Sequence, residues 1–330
     1  MKTLWIFLLS AVSLTATPDR EFSDPRFDRE IRTAIEFTLR QEYDSALSMA
    51  AQLEKKERSS PAGFFLTVSI LSARYYDLND TSSLKRLYKA GEQVLKLTSS
   101  KSTVLQRYYR AATLSFLSVI LAKEGNLFKG ALFGRRGALL FENLLNDKIV
   151  SSDALGILGC YHYWASVVLK GLAWIPFIDD RRTQGIAELE NGYQNARYMK
   201  FALAHSLLWI YYDNGRFREA LALCNRVLKQ YPDHPLFQTT RMHILYKLGR
   251  FEEAQELGLA LKERYKGREE VPVNLTVIQC KLALVYFSMG DRKKGVALAR
   301  ALLNRPYEAP FRQKIKKDLN FVEKALNQVE

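Results

Sequence analysis

The chain has 330 residues, of which 48% are apolar and 25% charged, and a formal net charge of +14. That apolar content can fill a large core and excludes a disordered chain, while only 9 Pro and 17 Gly leave room for long helices. The three cysteines, Cys160, Cys224 and Cys280, are odd in number and lie far apart, so they read as buried free thiols and not as a disulfide framework.

Residues 1–16 read as an export signal. Lys2 precedes an apolar run from Leu4 to Leu14, 11 residues long, too few to cross roughly 30 Å of hydrocarbon. Cleavage is expected after Ala16 or Thr17. No cysteine follows the run, so no lipid anchor is expected there, and no later segment has the length and polarity of a membrane span. Residues 17–26, with Pro18 and Pro25, read as a polar linker, and residues 27–330 as one helical domain. An exported protein meets little nucleic acid. The positive charge therefore points to acidic proteins, or to an anionic envelope polymer or lipid surface.

Helices follow in order. Gln41 to Leu47 gives the turn and second helix of a hairpin that starts at Phe27. Ser60-Pro61 opens a helix to about Tyr76, and Thr81 caps another to about Leu97. Ser102 starts a long helix to Glu124, Gly125-Asn126 breaks it, and Leu127 to Leu145 returns with Gly130 at a close-packing position. Ser151-Ser152-Asp153 caps a helix through Leu172, in which Gly156 and Gly159 permit a close neighbour. Asp179 or Asp180 suits the next N-cap. No run alternates as a strand would. At the end, Phe311, Ile315, Leu319, Val322 and Leu326 form an apolar stripe against many lysines, the pattern of a capping helix from Phe311 to Val329.

Two stretches repeat each other 34 residues apart: Tyr212 to Ala220 and Tyr246 to Ala254, with Tyr, Gly, Arg, Phe, Glu and Ala all returning. With position 1 at Phe201, Tyr211, Gly215, Phe217, Ala220 and Pro232 fall at positions 11, 15, 17, 20 and 32. A second unit starts at Pro235, with Gly249, Phe251 and Ala254 in place, and Gly290 marks another turn. Glycine turns the chain, alanine lets the second helix sit against the first, and proline stops it. This pattern resembles the tetratricopeptide repeat, although Ala204 and Leu208 depart from it at positions 4 and 8. The resemblance implies an all-α, right-handed α-α superhelix of about seven helix hairpins with a C-terminal capping helix, most regular over 201–268. It also implies a scaffold that holds other molecules.

Nothing in the sequence has the spacing of a catalytic or phosphate-binding motif, so no enzyme, cofactor or catalytic residue is expected. Glu252 and Glu253 suit the first turn of a helix and not an acid/base pair. Of the four histidines, His162, His205, His234 and His243, His234 sits in the turn Pro232 to Pro235 and is expected to be exposed. No third ligand joins His205 and His243, so no metal site is expected. The resemblance places His205, Trp209, Tyr212, Asp213, His243, Tyr246 and Lys247 on a concave face. Those aromatics either bind an extended peptide or a helix, or pack on an adjacent helix.

A second resemblance covers residues 151–237. Tyr161, Tyr163, Trp164, Pro176, Phe177, Ile178, Asp180, Arg182, Gly185 and Ile186 resemble a segment of exported bacterial tetratricopeptide proteins, and faintly the tetratricopeptide repeat protein 39 and Iml2 group. The apolar loop with Trp174, Pro176 and Phe177 reads either as a contact or as an internal plug over helix ends. The expected function is a non-enzymatic adaptor of the bacterial cell envelope, exported to the periplasm, binding a protein or peptide through its concave face. The alternative is binding of an anionic envelope polymer or lipid surface through basic helix faces.

Overall fold

A computed structural model of the chain describes residues 25–56, 60–98, 102–169, 179–266 and 272–329. The expected signal, and the loop carrying Trp174, Pro176 and Phe177, lie outside the described residues. Among these residues the chain forms fifteen α-helices and no strand. The first hairpins are α1 (Pro25–Leu39) with α2 (Tyr43–Lys56), α3 (Ala62–Leu78) with α4 (Leu84–Leu97), and α5 (Val104–Lys123) with α6 (Leu127–Glu142). Next come α7 (Ser151–Leu169) with α8 (Arg182–Asn195), and α9 (Lys200–Asp213) with α10 (Phe217–Gln230). The last are α11 (Pro235–Lys247) with α12 (Phe251–Tyr265), and α13 (Pro272–Ser288) with α14 (Arg292–Leu303), before the single helix α15 (Ala309–Asn327). The expected solenoid of seven hairpins and a terminal cap is the observed one, and α15 buries Ile315, Leu319, Val322 and Leu326 as its stripe predicts.

One turn recurs along the array. Backbone φ is positive at Gln41 (65°), Gly125 (88°), Gly215 (71°), Gly249 (71°) and Gly290 (80°). At each, that residue's N–H reaches the carbonyl three back and the next N–H the carbonyl five back, as in Gly215 N to Tyr212 O at 3.2 Å and Arg216 N to Tyr211 O at 2.8 Å. This closes the first helix with a left-handed residue, a conformation that costs glycine nothing. Five positions on from each stands a small residue: Ala46, Gly130, Ala220, Ala254 and Gly295, all buried. A Cβ on Gly130 would meet the Ser118 carbonyl at 2.9 Å, so size there sets the spacing of the hairpin. The repeat thus reaches well beyond 201–268, with its sequence degenerate and its turn intact.

The α7–α8 hairpin lacks that turn and is held more tightly. A Cβ on Gly159 would lie 2.5 Å from the Gly185 carbonyl, one on Gly185 2.6 Å from the Gly159 carbonyl, and one on Gly192 2.3 Å from the Gly156 nitrogen. The two backbones touch through glycine.

Three expectations are corrected. Asp80, not Thr81, caps the turn after α3, accepting from Ser82 N at 3.0 Å. Asp153 is buried and does not cap its own helix. Its carboxylate accepts the backbone N–H groups of Arg197 (3.0 Å), Tyr198 (3.2 Å) and Met199 (3.1 Å), and so covers the start of α9. His234 is only 4% exposed, because its ring packs 4.7 Å from Phe201 and 5.5 Å from Phe237.

The superhelix also closes on itself. Asn79, after α3, donates to Asn274 in α13 at 2.6 Å, and Asn274 donates to the Asp77 carbonyl. Lys314 of α15 lies 3.8 Å from Glu124, at the end of α5. Helix α3 thereby packs against α11, and the end of the first third of the chain lies against the inner wall built by the last third.

Candidate functional site

The inner wall is built by the first helices of consecutive hairpins, α9, α11 and α13. Their core-facing residues, such as Leu203, Leu207, Met242 and Leu245, are buried, which turns the remaining faces to the superhelix axis. His205, Trp209, Tyr212, His243 and Tyr246 are all half-buried there. Their rings form a line. Tyr76 of α3 meets His205 at 6.4 Å, His205 meets Trp209 at 6.4 Å, and Trp209 meets both Tyr212 (5.5 Å) and His243 (6.4 Å). Tyr212 and Tyr246 each lean on the phenylalanine that opens the following helix, Phe217 at 5.3 Å and Phe251 at 5.8 Å. Each of these aromatics packs against a neighbouring ring and keeps part of its surface open.

Trp209 donates its indole N–H to His205 Nε2 at 2.9 Å. An indole nitrogen can only donate, so Nε2 of His205 is unprotonated and its hydrogen sits on Nδ1. Burial, reinforced by the Lys123 charge, brings the His205 pKa down to about 4. Burial and Lys281 bring that of His243 down to about 3. Both imidazoles are neutral polar rings at physiological pH.

Cations complete the lining, and sequence reasoning missed most of them. Lys123 is water-accessible, with its ammonium 4.3 Å from the Tyr75 ring centre and 4.5 Å from that of Tyr76. Surrounding protein and the Lys314 charge push its pKa down to about 8. Lys281 stands 4.7 Å over Tyr246, and burial takes it to about 8 against the pull of Asp318. At the junction of α3, α5, α11 and α13 a cavity of about 210 Å³ opens, lined by Tyr76, Asp77, Lys123, Thr239 and Asn274 among others. Burial raises the Asp77 carboxyl to about 7, although the Tyr43 hydroxyl donates to it. No local pattern announces these residues, because they come together only when the superhelix closes.

Asp213 and Lys247 lie at the exposed ends of their helices. Asp213 accepts from the Tyr163 hydroxyl at 2.6 Å, which ties α9 to α7, so it stands apart from the ring line. A second cavity of about 270 Å³ lies between α6 and α7, next to His162. There His162 Nδ1 is 2.6 Å from Glu188, and Arg181 is 3.5 Å from Nε2. Among the described residues no group of His, Cys, Asp and Glu side chains could hold a metal ion, and no helix is long and apolar enough to cross a membrane. Cys224 and Cys280 are buried free thiols and Cys160 is partly buried and free.

A family model for the tetratricopeptide repeat matches residues 211–271, from the end of α9 through α12. No curated protein matches the chain by sequence. Among solved structures, a Rap protein complexed with competence and sporulation factor is similar, with 12% identity, a TM-score of 0.51 and coverage of 92% of this chain and 87% of that one. A tetratricopeptide repeat protein from Parabacteroides merdae is also similar, with 14% identity, a TM-score of 0.39 and coverage of 90% and 98%. At such identities the likeness concerns the fold.

Proposed function

For this chain, a member of the tetratricopeptide-repeat superfamily, we propose a non-enzymatic adaptor role in the bacterial cell envelope, with a protein or peptide segment held on the inner wall of the superhelix. Tetratricopeptide-repeat proteins are generally non-catalytic scaffolds. The observation that carries the reading is the line Tyr76, His205, Trp209, His243, flanked by the ammonium groups of Lys123 and Lys281. Neutral imidazoles and aromatic faces hold an extended or helical segment by stacking and hydrogen bonding, and large aromatics dominate such contacts. The lysines select segments that carry carboxylates. The envelope location rests on the apolar run from Leu4 to Leu14 after Lys2.

Capture from envelope extract tests it. Tagged full-length chain is expected to retain a defined protein, and Trp209→Ala with His243→Ala is expected to lose it while keeping the helical spectrum of the wild type. Equal capture by the variant would move the site off the inner wall. Fractionation of cells expressing the chain tests the location, and recovery in the cytosol alone would remove it.

A further inference from the structure

Helix α6 carries an outward face with no partner among the described residues. Phe128 is 85% exposed, Leu127 68%, Leu139 49% and Leu132 47%. Phe128, Leu132 and Leu139 stand at i, i+4 and i+11, so they form one ridge along the helix, about 16 Å from end to end. Side chains of this size left in water mark a contact surface. Three of the four charged residues on the helix are cations, with Glu142 at its far end. Lys129, Arg135 and Arg136 are all exposed on this helix, and no described carboxylate lies within 4.0 Å of their charged groups. Lys129 and Arg136 lie 5.7 Å and 6.0 Å from the Phe133 ring centre, which keeps their heads beside the ridge. Arg110 of α5 donates to the Leu95 and Thr98 carbonyls at 2.8 and 2.7 Å, and burial followed by the nearby Arg136 charge lowers its pKa.

We propose that the outer face of α6 rests on an anionic bilayer surface, with Phe128, Leu132 and Leu139 in the headgroup boundary and Lys129, Arg135 and Arg136 against lipid phosphates. The charge decides the occupant. An apolar ridge flanked by cations with flexible aliphatic stems is the design of a helix lying in a membrane interface, where the stems stay in the apolar layer and the heads reach phosphate. The contact is peripheral, since no described helix can span. It is independent of the inner-wall reading, and either can fail alone.

The test places a polarity-sensitive fluorophore at Leu132→Cys in a full-length Cys160→Ser chain, with Cys224 and Cys280 buried. A reporter on the ridge reads contact at α6 whatever the N-terminal apolar run does. Vesicles of phosphatidylglycerol with phosphatidylethanolamine are expected to shift the emission to the blue, phosphatidylcholine vesicles to leave it unchanged, and high salt to reverse the shift. Arg135→Gln with Arg136→Gln is expected to weaken the partition roughly 30-fold, at about one kcal/mol per basic residue at an anionic surface. No shift with anionic vesicles overturns the proposal. So does an equal shift with phosphatidylcholine. A shift that grows with protein concentration in the absence of vesicles assigns the ridge to a second copy of the chain, and also overturns it.

Discussion

Trp209 holds His205 in a single tautomer: its indole N–H points at Nε2 of the ring one helical turn away, at 2.9 Å. The bond keeps a neutral, oriented imidazole at the centre of the inner wall. Trp209→Phe keeps most of the apolar body and removes the donor, leaving Nε2 without its partner. The expected cost is about 1 kcal/mol of stability. Nitrogen NMR is expected to show the Nδ1–H form in the parent and a mixture in the variant. An unchanged spectrum would show that the bond does not set the tautomer.

Three imidazoles also give acid sensitivity. His205, His234 and His243 have native pKa values of about 4, 3 and 3, against 6.5 in the unfolded chain. Burial is the leading cause in each case. Between those values the unfolded chain binds protons that the folded one does not, so stability falls as pH falls from 6.5 towards 4. Asp77 opposes this, since burial raises it from 3.8 to about 7 and the folded state holds its proton. At pH 5 these four groups together take up about two protons on unfolding. Urea titrations from pH 7 to pH 4.5 are expected to show the decline, and His243→Gln is expected to flatten it. A slope untouched by that variant would mean that His243 is solvated.

Gly185 sits where α8 touches the backbone of α7. The Cβ of Gly185→Ala would lie 2.6 Å from the Gly159 carbonyl and 2.8 Å from the Tyr163 nitrogen. Backbone cannot turn aside as a flexible side chain can, so the loss belongs at the upper end of overpacking costs, about 3 kcal/mol. Gly134→Ala is the control, because there the nearest atom is the Ser118 hydroxyl oxygen at 2.9 Å, which can rotate away. Equal melting temperatures for the two variants would contradict the glycine contact.

Gln41 occupies the left-handed turn position that glycine fills at 125, 215, 249 and 290. Gln41→Gly is expected to relieve the Cβ strain and raise stability by up to about 1 kcal/mol, less the entropy that glycine adds to the unfolded chain. Thermal unfolding reads the gain. A clear loss would show that the Gln41 side chain contributes more than its backbone costs.

The 34-residue echo was enough to read the hairpins, their turns and the small residues at Ala220 and Ala254, because each depends on neighbours a few residues away. The resemblance put His205, Trp209, Tyr212, His243 and Tyr246 on one face, and their rings lie in a line on α9 and α11. Burial of His234 was not legible: Pro232 to Pro235 looks like a surface turn until Phe201 and Phe237 fold over the ring. Nor was the reach of Asp153 to the start of α9, because a cap from another hairpin leaves no local spacing. The closure through Asn79 and Asn274, which carries Tyr76 and Lys123 to the wall, joins residues 195 apart and has no sequence signal at all.

Whether a partner lies on the inner wall is tested most directly by photocrosslinking in intact cells. A photoreactive residue in place of Tyr246 faces the wall, and one in place of Arg218, exposed on α10, faces away. A discrete protein adduct is expected from position 246, lost when Trp209→Ala is added, and none from position 218. An adduct from 218 alone, or one from 246 that survives Trp209→Ala unchanged, would contradict an inner-wall partner.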